Sequence, residues 1–93
     1  MPSTTAKTTT AQTIVGHVAT EIRAEMVRHG ETVTSAAARF GVAPSGISRK
    51  LSGAYALTLA DILGFADWLG IPASDLLARA EAQAAAKRSK RAA

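Results

Sequence analysis

Four glycines, Gly30, Gly41, Gly53 and Gly70, divide the middle of the chain into stretches in which apolar residues recur at helical spacing. Glycine closes a helix more readily than any other residue, because it adopts the left-handed conformation without a steric penalty. Such punctuation predicts short helices joined by tight turns. The strict polar/apolar alternation of a half-buried strand does not occur, and no segment repeats, so the sequence points to an all-α fold of five helices.

From Gln12 to His29 the residues Ile14, Val18, Ile22 and Met26 recur at every fourth position, with Glu21, Arg23, Glu25 and Arg28 on other faces. This first helix stops at Gly30, with Arg28 and His29 at the end where the helix dipole favours positive charge. Thr32 caps a second, short helix, VTSAAARF, whose alanine face lets a neighbour approach closely. Pro44 suits a first helical turn, so a third helix runs from there to about Ser52. Thr58 and Asp61 form a T-x-x-D variant of the capping box that opens a fourth, LADILGFADWLG, with Leu59, Ile62, Leu63, Ala66 and Leu69 as its expected buried stripe. Pro72 begins a fifth through the alanine-rich ASDLLARAEAQAAAK. The Ser/Thr-rich residues 1–10 have too little apolar content to repay their ordering entropy and are expected as a flexible arm. Residues 11–80 form the domain, and 81–93 carry a helix extension and a basic tail.

The chain has no cysteine, which excludes disulfides and cysteine-based zinc sites, so its stability must come from packing. His17 and His29 lack metal-ligand spacing and are expected on the surface. Trp68, beside Leu69, is expected either in the core or on a dimer surface. No apolar run has the length of a membrane span and the N-terminus lacks the hydrophobic core of a signal peptide, so a soluble, cytoplasmic protein with no membrane partner is expected. No glycine-rich phosphate loop, carboxylate pair or nucleophile-base motif is visible, and the expectation is a binding protein without enzymatic activity, cofactor or metal.

Charge is informative by position. The net charge is +4, yet residues 12–80 hold six basic side chains (Arg23, Arg28, Arg39, Arg49, Lys50, Arg79) and six acidic ones (Glu21, Glu25, Glu31, Asp61, Asp67, Asp75). The excess lies in Lys7, Lys87, Arg88, Lys90 and Arg91 against Glu81. The adjacent pair Arg49-Lys50 falls in the third helix, where Ile47 and Leu51 point one way and Ser45, Arg49 and Ser52 the other, flanked by Gly46 and Ser48. A helix that enters a DNA major groove needs this kind of face. Short side chains permit close approach, and a guanidinium donates two hydrogen bonds to guanine O6 and N7.

Residues 32–53, TVTSAAARFGVAPSGISRKLSG, resemble the helix-turn-helix of the lambda-repressor/Cro-like (Xre-type) family, and TLADILGFADWLGIPASDLL resembles its fourth and fifth helices. The matching residues are Ala37, Gly41-Val42, Ile47-Ser48-Arg49, Gly53 and the series Ala66, Leu69-Gly70-Ile71 and Leu76. The resemblance implies that helix two lies over the DNA backbone while helix three sits in the major groove. Carried over by position, Pro44, Ser45, Ser48 and Arg49 face bases with Gly46 and Lys50 beside them, and Thr32, Thr34 and Tyr55 approach phosphates. Arg39, at the end of helix two, is a further phosphate candidate. Three positions depart from the family pattern: Val33 stands where many members have glutamine, Ala43 replaces the usual Ser/Thr cap, and Gly46 lies inside helix three. The last two cost that helix about 1 kcal/mol each.

The resemblance implies a sequence-specific regulator of transcription, a small repressor or Cro-like switch protein of phage or bacterial type. It would bind a two-fold operator in the nucleoid as a homodimer, because one helix-turn-helix reads only a few base pairs. Trp68, Leu76, Leu77, Ala80 and Ala84 are the expected dimer surface. The competing class is a helical adaptor or antitoxin that docks a protein partner through helix five.

Overall fold

The computed structural model describes residues 2–53 and 57–92, with side chains over 13–53 and 57–87. Five helices follow one another, α1 (Pro2–Arg28), α2 (Val33–Phe40), α3 (Pro44–Ser52), α4 (Leu59–Leu69) and α5 (Ala73–Ala92). There is no strand among the described residues, in agreement with the five-helix all-α expectation.

The helix ends lie where local chemistry puts them. The Thr32 hydroxyl accepts from the Ser35 amide at 3.1 Å while the Ser35 side chain accepts from the Thr32 amide at 2.8 Å, closing a reciprocal cap on α2. Thr58 and Asp61 do the same for α4, at 3.1 and 3.0 Å. At the α2–α3 turn Gly41 has φ +68°, a conformation L-residues rarely adopt, and from it the Val42 amide reaches back to the Ala37 carbonyl at 3.1 Å. One boundary differs: α1 runs back to Pro2, ahead of the start expected at Gln12. Once the stripe from Ile14 to Met26 is packed the helix is nucleated, and further turns cost only propagation.

α1 and α5 lie against each other as the base of the domain, and α3 and α4 rest on α1. Val18, Ile22, Leu76 and Ala80 are fully buried, with Ile47, Leu51, Ile62, Phe65 and Leu69 closing the core above them. Ala36 and Ala37 are also buried and let α2 and α3 approach closely. The stripe of α4 is rotated from the expected one: Ile62, Phe65, Ala66 and Leu69 face inward, whereas Leu59 and Leu63 are 65% and 51% exposed. The cause is aromatic. Phe65 meets Phe40 of α2 edge-on at 5.0 Å and Trp68 meets the same ring at 5.8 Å, which turns α4 toward α2. Trp68 is therefore half-buried in this three-ring cluster.

α1 also buries charge. Glu21 and Glu25 are 9% and 5% exposed, Arg79 of α5 donates to Glu25 at 2.7 Å, and Gln83 of α5 donates to Glu21. Arg28 bonds Glu25 as well, and His29 Nε2 lies 3.3 Å from it. His17, expected on the surface, is instead 8% exposed, and its Nε2 has no hydrogen-bond partner among the described residues.

These contacts fix a pH dependence. The hydrogen bond from Arg79, opposed by burial and aided by Arg28, holds the Glu25 carboxyl below its ordinary range. For Asp61 burial acts upward but is outweighed by the hydrogen bonds from Lys50 and Thr58, so its pKa is lowered too. A carboxyl whose folded pKa is depressed adds stability above its unfolded pKa and loses it as pH falls through the folded value. Thermal unfolding followed by circular dichroism should therefore show a plateau near about pH 7 and a falling midpoint below about pH 4, with the slope reduced in Glu25→Gln.

Candidate nucleic-acid interface

α3 is set by two anchors and exposed on its other side. Ile47 and Leu51, one turn apart, are each 3% exposed and hold the helix to the core. Ala43 supplies no side-chain cap, and the first turn is closed by the Gly46 amide bonding the Ala43 carbonyl at 3.0 Å. On the outward side Pro44, Ser45, Ser48, Arg49 and Ser52 are exposed and Gly46 is half-buried. The Ser52 hydroxyl folds back onto the Arg49 carbonyl at 3.1 Å, which leaves the face low in profile from Pro44 to Ser52.

Thr32 and Thr34 at the start of α2 are also exposed. Thr32 and Ser48 line one shallow groove together with Ser52, Val33 and Arg23, so the N-terminus of α2 and the outer side of α3 share a face. That N-terminus carries the positive end of a helix dipole, which suits a phosphate, and Glu31, whose carboxylate accepts from the Ser35 hydroxyl at 2.8 Å, borders the same groove. Tyr55, the third expected phosphate contact, lies outside the described residues, as do the side chains of Arg88, Lys90 and Arg91.

Two basic residues stand apart from this face. Lys50 donates to Asp61 of α4 at 2.7 Å and is half-buried. A base contact would compete with that pair, which ties α3 to α4. Arg39 stands at the far end of α2, roughly 10 Å along the helix from Thr32. It lies 4.0 Å from Asp67 of α4, both side chains being largely exposed.

Sequence reasoning missed Arg23. From α1 it donates to the Leu51 carbonyl at the C-terminal end of α3 at 2.8 Å and to the Thr20 hydroxyl at 3.4 Å. A cation is favourable at a helix C-terminus, so Arg23 fixes α3 from behind while its guanidinium borders the groove that holds Thr32 and Ser48. No local pattern marks it, because its partner is 28 residues away.

α5 gives the opposite result from the one expected. Leu76 and Ala80 are fully buried and Ala84 is 5% exposed in the single chain, while Leu77 is half-buried. The apolar stripe of α5 is covered by α1. It is therefore not an open surface for a second copy or for a docked protein.

Among the described residues no cluster of histidine and carboxylate side chains could hold a metal, and no helix is long and apolar enough to cross a membrane. Comparison with known families finds a match to the BetR domain over residues 11–91. No curated protein and no solved structure matches the chain.

Proposed function

We propose, from the premise that the chain belongs to the BetR domain family of small helical domains of DNA-binding type, that it is a sequence-specific regulator of transcription that reads double-stranded DNA with α3. The observation that carries this reading is the division of α3 into a buried side, Ile47 and Leu51, and an exposed side of proline, serines and a single arginine. In this arrangement α3 enters the major groove and Arg49 presents its planar fork to guanine O6 and N7. Ser45 and Ser48 offer hydroxyls to neighbouring base edges, and Pro44 and Gly46 add no bulk that would hold the helix away. Thr32, Thr34 and the positive end of the α2 dipole take an adjacent phosphate and set the register, since phosphate contacts position a protein while base contacts specify the sequence.

Such a face spans only a few base pairs. The regulator therefore works as a homodimer on a two-fold operator, with half-sites about 34–36 Å apart. The role is that of a repressor or Cro-like switch, acting by occupying DNA in the cytoplasm of a bacterial cell or phage-infected host. The protein binds and performs no reaction. Selection from a pool of random duplex DNA at low salt is expected to enrich a single short motif, repeated with two-fold symmetry. Absence of any enriched motif would overturn the reading.

A further inference from the structure

Arg28, Arg39, Lys50 and Arg79 each face a carboxylate within 4.0 Å. Arg23 faces none among the described residues. Its hydrogen bonds go to two neutral oxygens, the Leu51 carbonyl at 2.8 Å and the Thr20 hydroxyl at 3.4 Å, so the group is held at both Nη atoms while its charge stays uncompensated. A guanidinium carries five N–H donors, and the two bonds leave the others available on an exposed residue.

The surface around Arg23 favours an anion. On the same side of α1, Thr13, Gly16, Thr20 and Val27 are exposed and none is acidic, whereas Glu21 and Glu25 are turned to α5. The groove that Arg23 borders also takes Thr32, Ser48 and Ser52, three hydroxyl residues. Its one carboxylate, Glu31, precedes α2 and accepts from the Ser35 hydroxyl at 2.8 Å, while Arg23 is bonded to the last turn of α3.

We infer that Arg23 binds a backbone phosphate of the DNA strand that flanks α3, and that the same guanidinium ties this phosphate to the C-terminal end of the reading helix. The inference rests on the proposal that α3 enters the major groove. That groove is about 12 Å wide, and a helix with its side chains is about 10–12 Å across. α3 therefore fills it from wall to wall, and what stands beside α3 meets the phosphates. Beside Ser48 and Ser52 stands Arg23. The last carbonyls of a helix carry partial negative charge, which repels a phosphate, and Arg23, bonded to one of them, reverses the sign at that point. A forked guanidinium bonds the carbonyl through one N–H and a phosphate oxygen through another. The backbone contact and the seating of α3 are then one interaction, which fixes the register in which Arg49 and the serines meet the bases.

Salt dependence provides the test, because each phosphate neutralised steepens the slope of log affinity against log salt by about 0.9. In the full chain, Arg23→Gln keeps a polar amide and removes the charge. Binding is measured on a duplex carrying the motif selected from random DNA and on a mixed-sequence duplex of the same length. The slope for Arg23→Gln should be shallower than that of the unmodified chain by about 0.9 per bound chain, so its deficit in affinity should be about 3.5-fold larger at about 50 mM than at about 200 mM salt. Arg23→Lys should restore the slope, and the ranking of single-base variants should be the same in all three proteins. A role confined to capping α3, or a partial loss of fold, would lower affinity by one factor at every salt concentration. In a second measurement, neutral methylphosphonates replace the phosphates of the motif one at a time. One position should weaken the unmodified chain and Arg23→Lys but not Arg23→Gln. The inference is overturned by an unchanged slope in Arg23→Gln, or by a methylphosphonate profile that it shares with the unmodified chain. Either result on an enriched motif would sink only the Arg23 contact. A flattened slope on mixed-sequence duplex in a chain that enriches no motif would sink only the sequence-specific reading, and no binding to any duplex at low salt would overturn both.

Discussion

Replacement of Leu76 by alanine is expected to lower the stability of the folded chain by about 2–5 kcal/mol. Leu76 has no exposed surface, and it sits where α5 lies on α1, the most extensive helix pair of the domain. Deleting most of its side chain removes apolar area from the core and leaves a cavity. Neighbours such as Val18 and Ile22, themselves fully buried, are already held by packing on several sides and cannot collapse into it. For a domain of this size the whole stability is on the order of 5–15 kcal/mol, and each 1 kcal/mol moves the melting midpoint by roughly 4–8 °C. A drop of about 10 °C or more should follow in thermal melts read by circular dichroism. The shift should be the same at every protein concentration, and the sedimentation mass should not change. A residue in a subunit interface would give the opposite pattern, a shift that varies with concentration and a reduced sedimentation mass. The experiment therefore separates the role of α5 as part of each subunit's core from a role in joining subunits.

The parts of the fold that were legible in the sequence are those fixed within about four residues. Thr32, Thr58 with Asp61, and the glycines after α1 to α4 act on the backbone next to them, and the helices begin or end there. The two sides of α3 were legible for the same reason, because Ile47 and Leu51 lie on one face of any helix that contains them. Positions that depend on a distant partner were not legible. On α4 the run from Leu59 to Leu69 offers two overlapping apolar stripes, and the one that turns inward is chosen by the ring of Phe40, from another helix. Glu21 and Glu25 read as surface charge until Arg79 and Gln83 arrive from more than fifty residues along the chain. The Arg49-Lys50 pair suggested two similar cations, yet Lys50 is drawn to Asp61. Long-range packing of this kind also covers the α5 stripe with α1, while the rotation of α4 exposes Leu59 and Leu63.

Arg49→Ala should remove preference at one base position, by about 1–3 kcal/mol or roughly 5- to 150-fold in relative affinity. The folded state should hardly respond, since Arg49 is exposed and α3 is held by Ile47, Leu51 and the Arg23 bond to the Leu51 carbonyl. Its thermal midpoint should stay close to that of the unmodified chain. Arg49→Lys keeps the charge but replaces a planar fork by a point donor, so it should retain overall affinity while losing much of the discrimination at that position. Removal of the basic residues Arg88, Lys90 and Arg91 should weaken all sequences alike and flatten the dependence of affinity on salt. Measured over a panel of single-base variants of the selected site at several salt concentrations, the two effects are distinguishable. Arg49 alters the ranking of sequences, whereas the tail alters only the common offset and the salt slope. A uniform loss for Arg49→Ala, with the ranking intact, would assign Arg49 to the phosphate backbone and leave Ser45 and Ser48 as the groups on α3 that could read bases.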